Sequence, residues 1–261
     1  EKGRGYPYAQ QDPEHFHGTP PFDTATGKPL RASTRSFSDV FGDTLLELAR
    51  QDPRICAITA AMTSGTGLTE FSRELPDRFF DVGIAEGHAV AMAGGMAKQG
   101  LIPVFAVYSS FLQRGFDMLI HDISLDKLHA VFCVDRAGLV GADGQTHHGC
   151  FDPAYLTQIP GMTVLCPASF AELRDMLCHA ICQVSGPVAI RYPRGGERDY
   201  TAASDPERCY ITLRDGADFT ILSYGILINE ALKAAELLAE KGISVRVIKL
   251  NRIAPLSEAD V

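Results

Sequence analysis

Asp81-Val82-Gly83-Ile84-Ala85-Glu86-Gly87-His88-Ala89-Val90 runs from the end of one apolar segment into the start of another, with an acid at the turn. Phe79 to Gly83 reads as a buried strand and Ala85 to Lys98 as a helix lined with Ala and Gly, which puts Glu86 in the helix's first turn. The residues around it in the chain are almost wholly apolar or small. Two readings of that acid stay open on these letters. A carboxylate in a first turn complements the positive end of the helix dipole. A desolvated carboxylate instead has a raised pKa and can exchange a proton with a ligand.

Working outward, the same alternation repeats. Strand-like runs at Ile55 to Thr59, Pro103 to Tyr108, Ala130 to Asp135, Thr163 to Pro167 and Val188 to Tyr192 are separated by helical spacing near Thr69 to Leu75, Phe111 to Ser124 and Phe170 to Gln183. Phe37, Val40, Phe41, Leu45, Leu48 and Ala49 recur at helical spacing behind Ser36 or Ser38 as a cap. Continuous apolar strands between amphipathic helices predict an α/β fold, a parallel sheet sandwiched by helices. Ligands of such sheets bind at the carboxyl ends of the strands.

The flanks differ. Residues 1–35 are rich in Gly and Pro without a hydrophobic period and are expected to form an extended inter-domain arm. The central domain is expected over 36–196 and a polar linker over 197–210. Residues 211–261 hold a strand, helix and strand at Phe219 to Ser223, Ile228 to Lys241 and Val245 to Leu250, too little for a complete α/β domain, so a partial one is expected. The first residue is not Met, which points to a start other than the native one.

Composition narrows the function classes. The 261 residues are 46% hydrophobic and carry a net charge of -8, and Lys and Arg form no basic stretch, so nucleic acid is not an expected partner. No apolar run approaches the roughly 18–20 residues of a membrane span, so no membrane partner is expected either. The seven Cys are odd in number and unclustered, which fits reduced thiols and a cytoplasmic setting. Cys178 and Cys182, one helical turn apart, read as core packing.

Chemistry gathers at the strand ends. Tyr108-Ser109-Ser110-Phe111-Leu112-Gln113-Arg114 can supply a stacking ring and a fixed cation, or Phe111 and Leu112 can simply pack the inner face of a helix. Asp135-Arg136-Ala137-Gly138 leads into Leu139 to Gly149, a polar, glycine-rich loop of tight turns that can bring Asp143 and His147 together. A His beside a carboxylate suits proton transfer or the holding of a substrate hydroxyl. His147, His148, Cys150 and Asp152 are also possible metal ligands, but a single short loop lacks the two separated pairs of ordinary zinc sites. Arg191-Tyr192-Pro193-Arg194-Gly195 adds two guanidinium groups, and Arg136 with Arg194 can hold a phosphate by forked hydrogen bonds.

DVGIAEGHAV, YSSFLQRGFD, HDI, DRAGLVGADGQTHHG and RYPRG, together with KGRGY at 2–6 and FHGTPPFD in the arm, resemble the 1-deoxy-D-xylulose-5-phosphate synthases, thiamine-diphosphate enzymes of the transketolase group. The resemblance covers essentially the whole chain. It implies a connecting arm, the pyrimidine-binding middle domain and the beginning of the C-terminal domain. The family's N-terminal domain, with the GDG and Asn motif that anchors the diphosphate and Mg2+, has no counterpart in the sequence, so no metal ligand is expected in this chain, and the chain by itself is expected to be inactive.

The resemblance implies specific roles. Glu86 matches the glutamate that hydrogen-bonds N1' of the aminopyrimidine and favours the tautomer that takes the thiazolium C2 proton. Phe111 matches the ring stacked on the aminopyrimidine, Arg114 the arginine beside it, and Tyr6 the arm tyrosine that reaches the cofactor. Tyr108, Arg136, Asp143 and Arg194 match the site for glyceraldehyde 3-phosphate, and His147 a histidine near the reacting carbons. The expected catalytic set is therefore Glu86, His147 and Asp143. One departure is Gly87, where the family usually has Gln; the change is expected to weaken positioning rather than abolish chemistry.

The implied reaction condenses pyruvate with D-glyceraldehyde 3-phosphate to 1-deoxy-D-xylulose 5-phosphate and CO2, the first step toward isoprenoid precursors, in a homodimer of the cytoplasm, or of the plastid stroma in a plant. Two other classes compete. The β subunit of a 2-oxoacid dehydrogenase E1 component has the same two domains, but the arm and the DRAGLVGADGQTH loop speak against it. A non-catalytic regulatory or assembly protein has no physical need for Glu86, Asp143, His147 and both arginines together.

Overall fold

The computed structural model describes residues 3–13, 15–19, 21–30 and 34–256. Lys2 of KGRGY, Pro20 of FHGTPPFD and residues 257–261 of the expected partial domain lie outside the described residues. The chain forms two compact units, Glu1–Arg35 and Ser36–Val261.

The first unit differs from the extended arm expected of it. It contains a short helix α1 (Pro7–Gln11) and a 3-10 turn at His15–His17. A bridge joins Phe22 to Pro29. Pro7 sits at the first helical position, where its missing N–H is no loss. The rings of Tyr6, Phe16 and Phe22 meet pairwise at 5.6, 5.8 and 5.1 Å, and the Tyr6 hydroxyl donates to the Thr24 carbonyl at 2.9 Å. Because turns bring these rings together, no regular spacing marks them in the sequence.

The second unit opens with α2 (Phe37–Gln51), β1 (Ile55–Thr59), α3 (Thr69–Glu74), β2 (Phe79–Asp81), α4 (Glu86–Lys98) and β3 (Ile102–Tyr108). It continues through α5 (Ser109–Leu112), α6 (Phe116–Met118), β4 (Val131–Asp135), α7 (Asp152–Leu156), β5 (Thr163–Leu165), α8 (Phe170–Cys182) and β6 (Val188–Arg191). It ends with β7 (Tyr210–Arg214), β8 (Phe219–Tyr224), α9 (Ile228–Ala239), β9 (Val245–Leu250) and β10 (Arg252–Ala254). Seven strands form one sheet in the order β10-β5-β6-β4-β3-β1-β2, parallel except for β10 against β5.

Each strand of the centre is buried on both faces, so its two side-chain sets feed two cores. Val104 and Ala106 join Phe37, Phe41 and Tyr192 on one face; Phe105 and Val107 join Ile58, Val90 and Leu119 on the other. A reciprocal capping box starts α2: the Asp39 N–H donates to Ser36 Oγ at 3.2 Å, and the Ser36 N–H donates to the Asp39 carboxylate at 2.8 Å.

Two local departures matter. The continuous helix expected over Phe111 to Ser124 is instead α5, a 3-10 turn at Gln113–Gly115, α6 and a π-helical turn at Leu119–Ser124. Gly115 lowers helix propensity where Val90 of α4 presses closest, and the altered pitch keeps Leu112, Leu119 and Ile123 buried. Residues after Leu250 return to the main sheet as β10, while β7, β9 and β8 form a separate three-stranded sheet. The segment between the sheets is not a free spacer. Tyr200 donates its hydroxyl to Glu172 at 2.8 Å, and the fully buried Lys249 meets Glu172 at 3.0 Å and Asn251 at 2.6 Å.

Candidate active site at the carboxyl ends of the central strands

Register builds the site. Tyr108, the last residue of β3, pairs with Asp135, the last of β4, and Val134 pairs with Arg191, the last of β6. Three neighbouring strands therefore release their loops at one level, as the doubly covered sheet requires of a ligand site. The start of α4 adds Glu86 from the same end, because β2, which leads into it, runs parallel to β1.

Glu86 is the first residue of α4 and only 3% exposed. Its carboxylate accepts from Arg114 Nη1, and the Arg114 guanidinium lies 5.0 Å from the centre of the Phe111 ring. Phe111 stacks on Tyr108 at 5.5 Å and meets His147 edge-on at 5.3 Å. The surroundings of Glu86 are thus not wholly apolar, since Arg114 arrives from a different element. Glu86, Arg114, Phe111, Tyr108 and His147 form one connected set.

Arg136 lies over the other part of that set, 4.2 Å from the Tyr108 ring centre. Its backbone has φ 60, a left-handed conformation that costs a non-glycine residue about 1 kcal/mol or more. Nη1 donates to the Asp135 carboxylate at 2.7 Å, Ser38 Oγ at 2.9 Å and the Gly65 carbonyl at 2.8 Å, which holds the turn in place. Burial works most strongly against charge on Arg136, but Asp135, Tyr108 and Asp143 together keep the guanidinium above its ordinary value. Burial also pushes the Tyr108 phenol up, against the pull of Arg136, so that hydroxyl stays protonated.

The 136–149 loop closes at a narrow neck. Gly138 and Gly149 exchange N–H to carbonyl bonds at 2.7 and 2.8 Å, and the Val140 N–H donates to His148 Nδ1 at 3.2 Å. Gly149 lies so close to the Arg136 carbonyl and to Ser109 that a side chain there has no room. Within the loop Asp143 is held by ion pairing and His147 by its neighbour. Asp143 lies 2.9 Å from Arg194 Nε and 3.8 Å from Arg136 Nε, while His147 Nδ1 is 3.0 Å from Thr146 Oγ1. A guanidinium offers a carboxylate charge-assisted, forked hydrogen bonds, and Arg194 follows closely on the end of β6.

The remaining candidates have partners of their own. Tyr6 lies in the first unit, in its own ring cluster. Asp152 is fully buried and paired with Arg191, at 2.6 Å to Nε. Among the described residues no three His, Cys, Asp or Glu side chains converge as a metal site. Beside Gly87, Met118 fills the space a longer residue would need, its terminal methyl 2.8 Å from where a Cβ would stand. Sequence reasoning missed Ser38, Ser109, Asp135 and Asp152 as supports. The register of β3, β4 and β6, and for Ser38 the packing of α2 on β4, reveals them.

Residues 33–198 match the family described as transketolase, pyrimidine binding domain, and residues 210–261 match the transketolase C-terminal domain. The chain belongs to the transketolase family through its pyrimidine-binding domain. Within that class it is similar to 1-deoxy-D-xylulose-5-phosphate synthases. It is 52% identical over 261 residues to that of Clostridium kluyveri, covering 99% of this chain and 42% of the relative. It is 50% identical over 259 residues to that of Symbiobacterium thermophilum, covering 98% and 40%. A solved split-gene transketolase, an inactive β4 tetramer, superposes with a TM-score of 0.74 at 30% identity over 84% of this chain and 72% of that one. The chain thus spans about two fifths of the length of the curated relatives it matches.

Proposed function

We propose that the protein containing this chain condenses pyruvate with D-glyceraldehyde 3-phosphate, releasing CO2 and forming 1-deoxy-D-xylulose 5-phosphate, with thiamine diphosphate as cofactor. The observation that carries the reading is the buried Glu86 carboxylate, paired with the Arg114 that lies over the Phe111 ring, in a pyrimidine-binding domain. The synthases among its relatives favour this reaction over acyl transfer by an E1 β subunit.

The residues fit the aminopyrimidine end of the cofactor. A buried carboxylate can hold a ring nitrogen's proton, and a partly buried aromatic ring that shares the Arg114 guanidinium with it can carry a planar heterocycle. Bound there, the cofactor supplies the electron sink for decarboxylation. Glu86 would hold the proton at N1', Phe111 would orient the ring, and Arg114 would flank it. Tyr108, Arg136 and Arg194 would bind the phosphate-bearing acceptor, with guanidinium groups suited to forked bonds on phosphate oxygens. Asp143 would orient the acceptor's hydroxyl, and His147, packed on Phe111, would move a proton at its carbonyl oxygen. The proposal includes a homodimer, a cytoplasmic setting and Mg2+ held with the diphosphate outside this chain.

The test is product formation from pyruvate and glyceraldehyde 3-phosphate by the full-length protein with thiamine diphosphate and Mg2+. Glu86→Gln should fold normally and lose on the order of 10²–10⁴-fold in turnover. Unchanged turnover in that variant removes Glu86 from the mechanism.

A further inference from the structure

Three buried side chains below the site are not used by the reaction just described. Ser109 is 1% exposed, Asp152 is fully buried and Arg191 is 8% exposed. The Ser109 hydroxyl donates to Asp152 Oδ1 at 2.8 Å; Arg191 Nε donates to Oδ2 at 2.6 Å and Nη2 to Oδ1 at 3.2 Å. Both carboxylate oxygens are occupied, and the guanidinium also lies 5.4 Å from the Tyr224 ring centre in β8. One carboxylate therefore joins the end of β6, the start of α7 and the turn from β3 into α5.

That turn needs outside support. α5 has four residues, no side-chain cap, and passes straight into a 3-10 turn, so local helix energetics hold it weakly. Yet it lies between Tyr108 and Arg114 and carries Phe111. Ser109 is also where the 136–149 loop rests, because Gly149 packs directly on its Oγ and Cβ. A residue chosen only to fill that space could be Ala. The hydroxyl is required only if its direction matters, and its direction is set by Asp152.

We propose that Asp152 is a positioning residue for the acceptor side of the site, acting through Ser109 on Tyr108 and on the neck of the loop that carries Asp143 and His147. Arg191 holds the carboxylate in place. The role rests on the function proposed above, since the acceptor is the phosphate-bearing substrate assigned there. Tyr108 reaches Arg136 through its ring face, and the loop neck fixes where Asp143 meets Arg194, so a tilt at Ser109 moves both phosphate-side contacts together.

The experiment is Ser109→Ala in the full-length protein, with KM measured separately for glyceraldehyde 3-phosphate and pyruvate, and Tm measured alongside. The expected result is a KM for glyceraldehyde 3-phosphate raised roughly 10-fold or more, because small misplacements of binding groups are costly. KM for pyruvate should stay within about twofold, and Tm should fall by only a few degrees. Equal fold-changes in the two KM values, an unchanged KM for glyceraldehyde 3-phosphate, or a fall in kcat alone with the active fraction, would overturn the positioning role. If Ser109→Ala does not fold, Ser109→Cys keeps the volume and a weak donor and carries the same measurement. A second readout does not depend on turnover: in protein labelled with ring-¹³C tyrosine, the Tyr108 signal, assigned by its loss in Tyr108→Phe, should shift in the Ser109 variant. An unmoved Tyr108 signal refutes the positioning role even if the proposed reaction is wrong. Full turnover in Glu86→Gln refutes the mechanism and leaves the tyrosine result standing.

Discussion

Gly149→Ala puts the architecture of the loop to a quantitative test. A Cβ at this position would press on the Arg136 carbonyl oxygen and stand 2.5 and 2.6 Å from Ser109 Oγ and Cβ. Arg136 cannot yield easily, since its backbone is already at φ 60 and its guanidinium is tied to Asp135, Ser38 and Gly65. Two responses are open. If the loop stays closed, overpacking costs about 1–3 kcal/mol, and pushing Ser109 off the charged Asp152 costs about 1.5–3 kcal/mol more. If the neck opens, the two bonds between Gly138 and Gly149 are lost at about 0.5–1.5 kcal/mol each. Opening is the cheaper route, so the variant should release the loop and leave the strands intact. The expected loss is about 1–3 kcal/mol, or roughly 2–12 °C in Tm for a domain of this size. Hydrogen exchange separates the cases: the amides of Gly138 and Gly149 should lose protection while those of β3 and β4 keep theirs. Protected neck amides at an unchanged Tm, or exchange spreading into β3 and β4, would each show this account of the neck to be mistaken.

Other consequences are as direct. Lys249→Met leaves Glu172 buried without its cation and should cost about 3–5 kcal/mol in urea unfolding. Adding Glu172→Gln should restore more than half of that loss, and additive losses would contradict the coupling. Burial pushes the Cys166 thiol up to about 11, against the opposing pull of Arg191. A thiol with a raised folded-state pKa binds its proton longer than in the unfolded chain, so its contribution is complete below about 9 and lost as pH rises toward about 11. Cys166→Ala should therefore flatten the stability curve across that window, and an unchanged slope would refute it. At pH 8 the exposed Cys150 and Cys182 should alkylate well before the buried Cys133 and Cys166. Mass spectrometry after brief labelling decides the point.

The sequence displays what local physics determines. β1 begins and ends where its sequence run does, because a strand buried on both faces is built almost wholly from apolar residues, while β9 shows as an alternation in which Val245 and Val247 are buried and Arg246 is exposed. Glu86 is visible for the same reason, as a charge where the pattern forbids one. β10 is not visible, since Arg252, Ile253 and Ala254 become a strand only when β5 offers them an edge. The partner of Asp143 was also hidden. The glycines at 138, 141 and 144, all with positive φ, announce tight turns, but which charge the turned loop meets depends on where β6 delivers Arg194. Asp152 shows the limit most clearly. In the sequence it sits in a cluster with His147, His148 and Cys150 that resembles a ligand set. In the fold it turns inward to Arg191, and the cluster disperses.

Exposure divides the site's cations into two kinds, and this bears on how a ligand could enter. Arg136 and Arg191 are 14% and 8% exposed, and their carboxylate partners are fully buried. Removing either partner costs about 3–5 kcal/mol, so these two belong to the frame. Arg114 and Arg194 are 55% and 42% exposed, and the pair that Arg194 makes with the part-exposed Asp143 is typically worth only about 0–1 kcal/mol. A phosphate with its greater charge can therefore take Arg194 from Asp143 at small expense, while Arg136 keeps its position beside it. The exchange at Glu86 is different, because its carboxylate is buried even though Arg114 is not. Withdrawing Arg114 alone would strand a desolvated charge. Whatever displaces the guanidinium from Glu86 must itself present a donor to that carboxylate, a condition that a protonated ring nitrogen meets and an apolar ring does not.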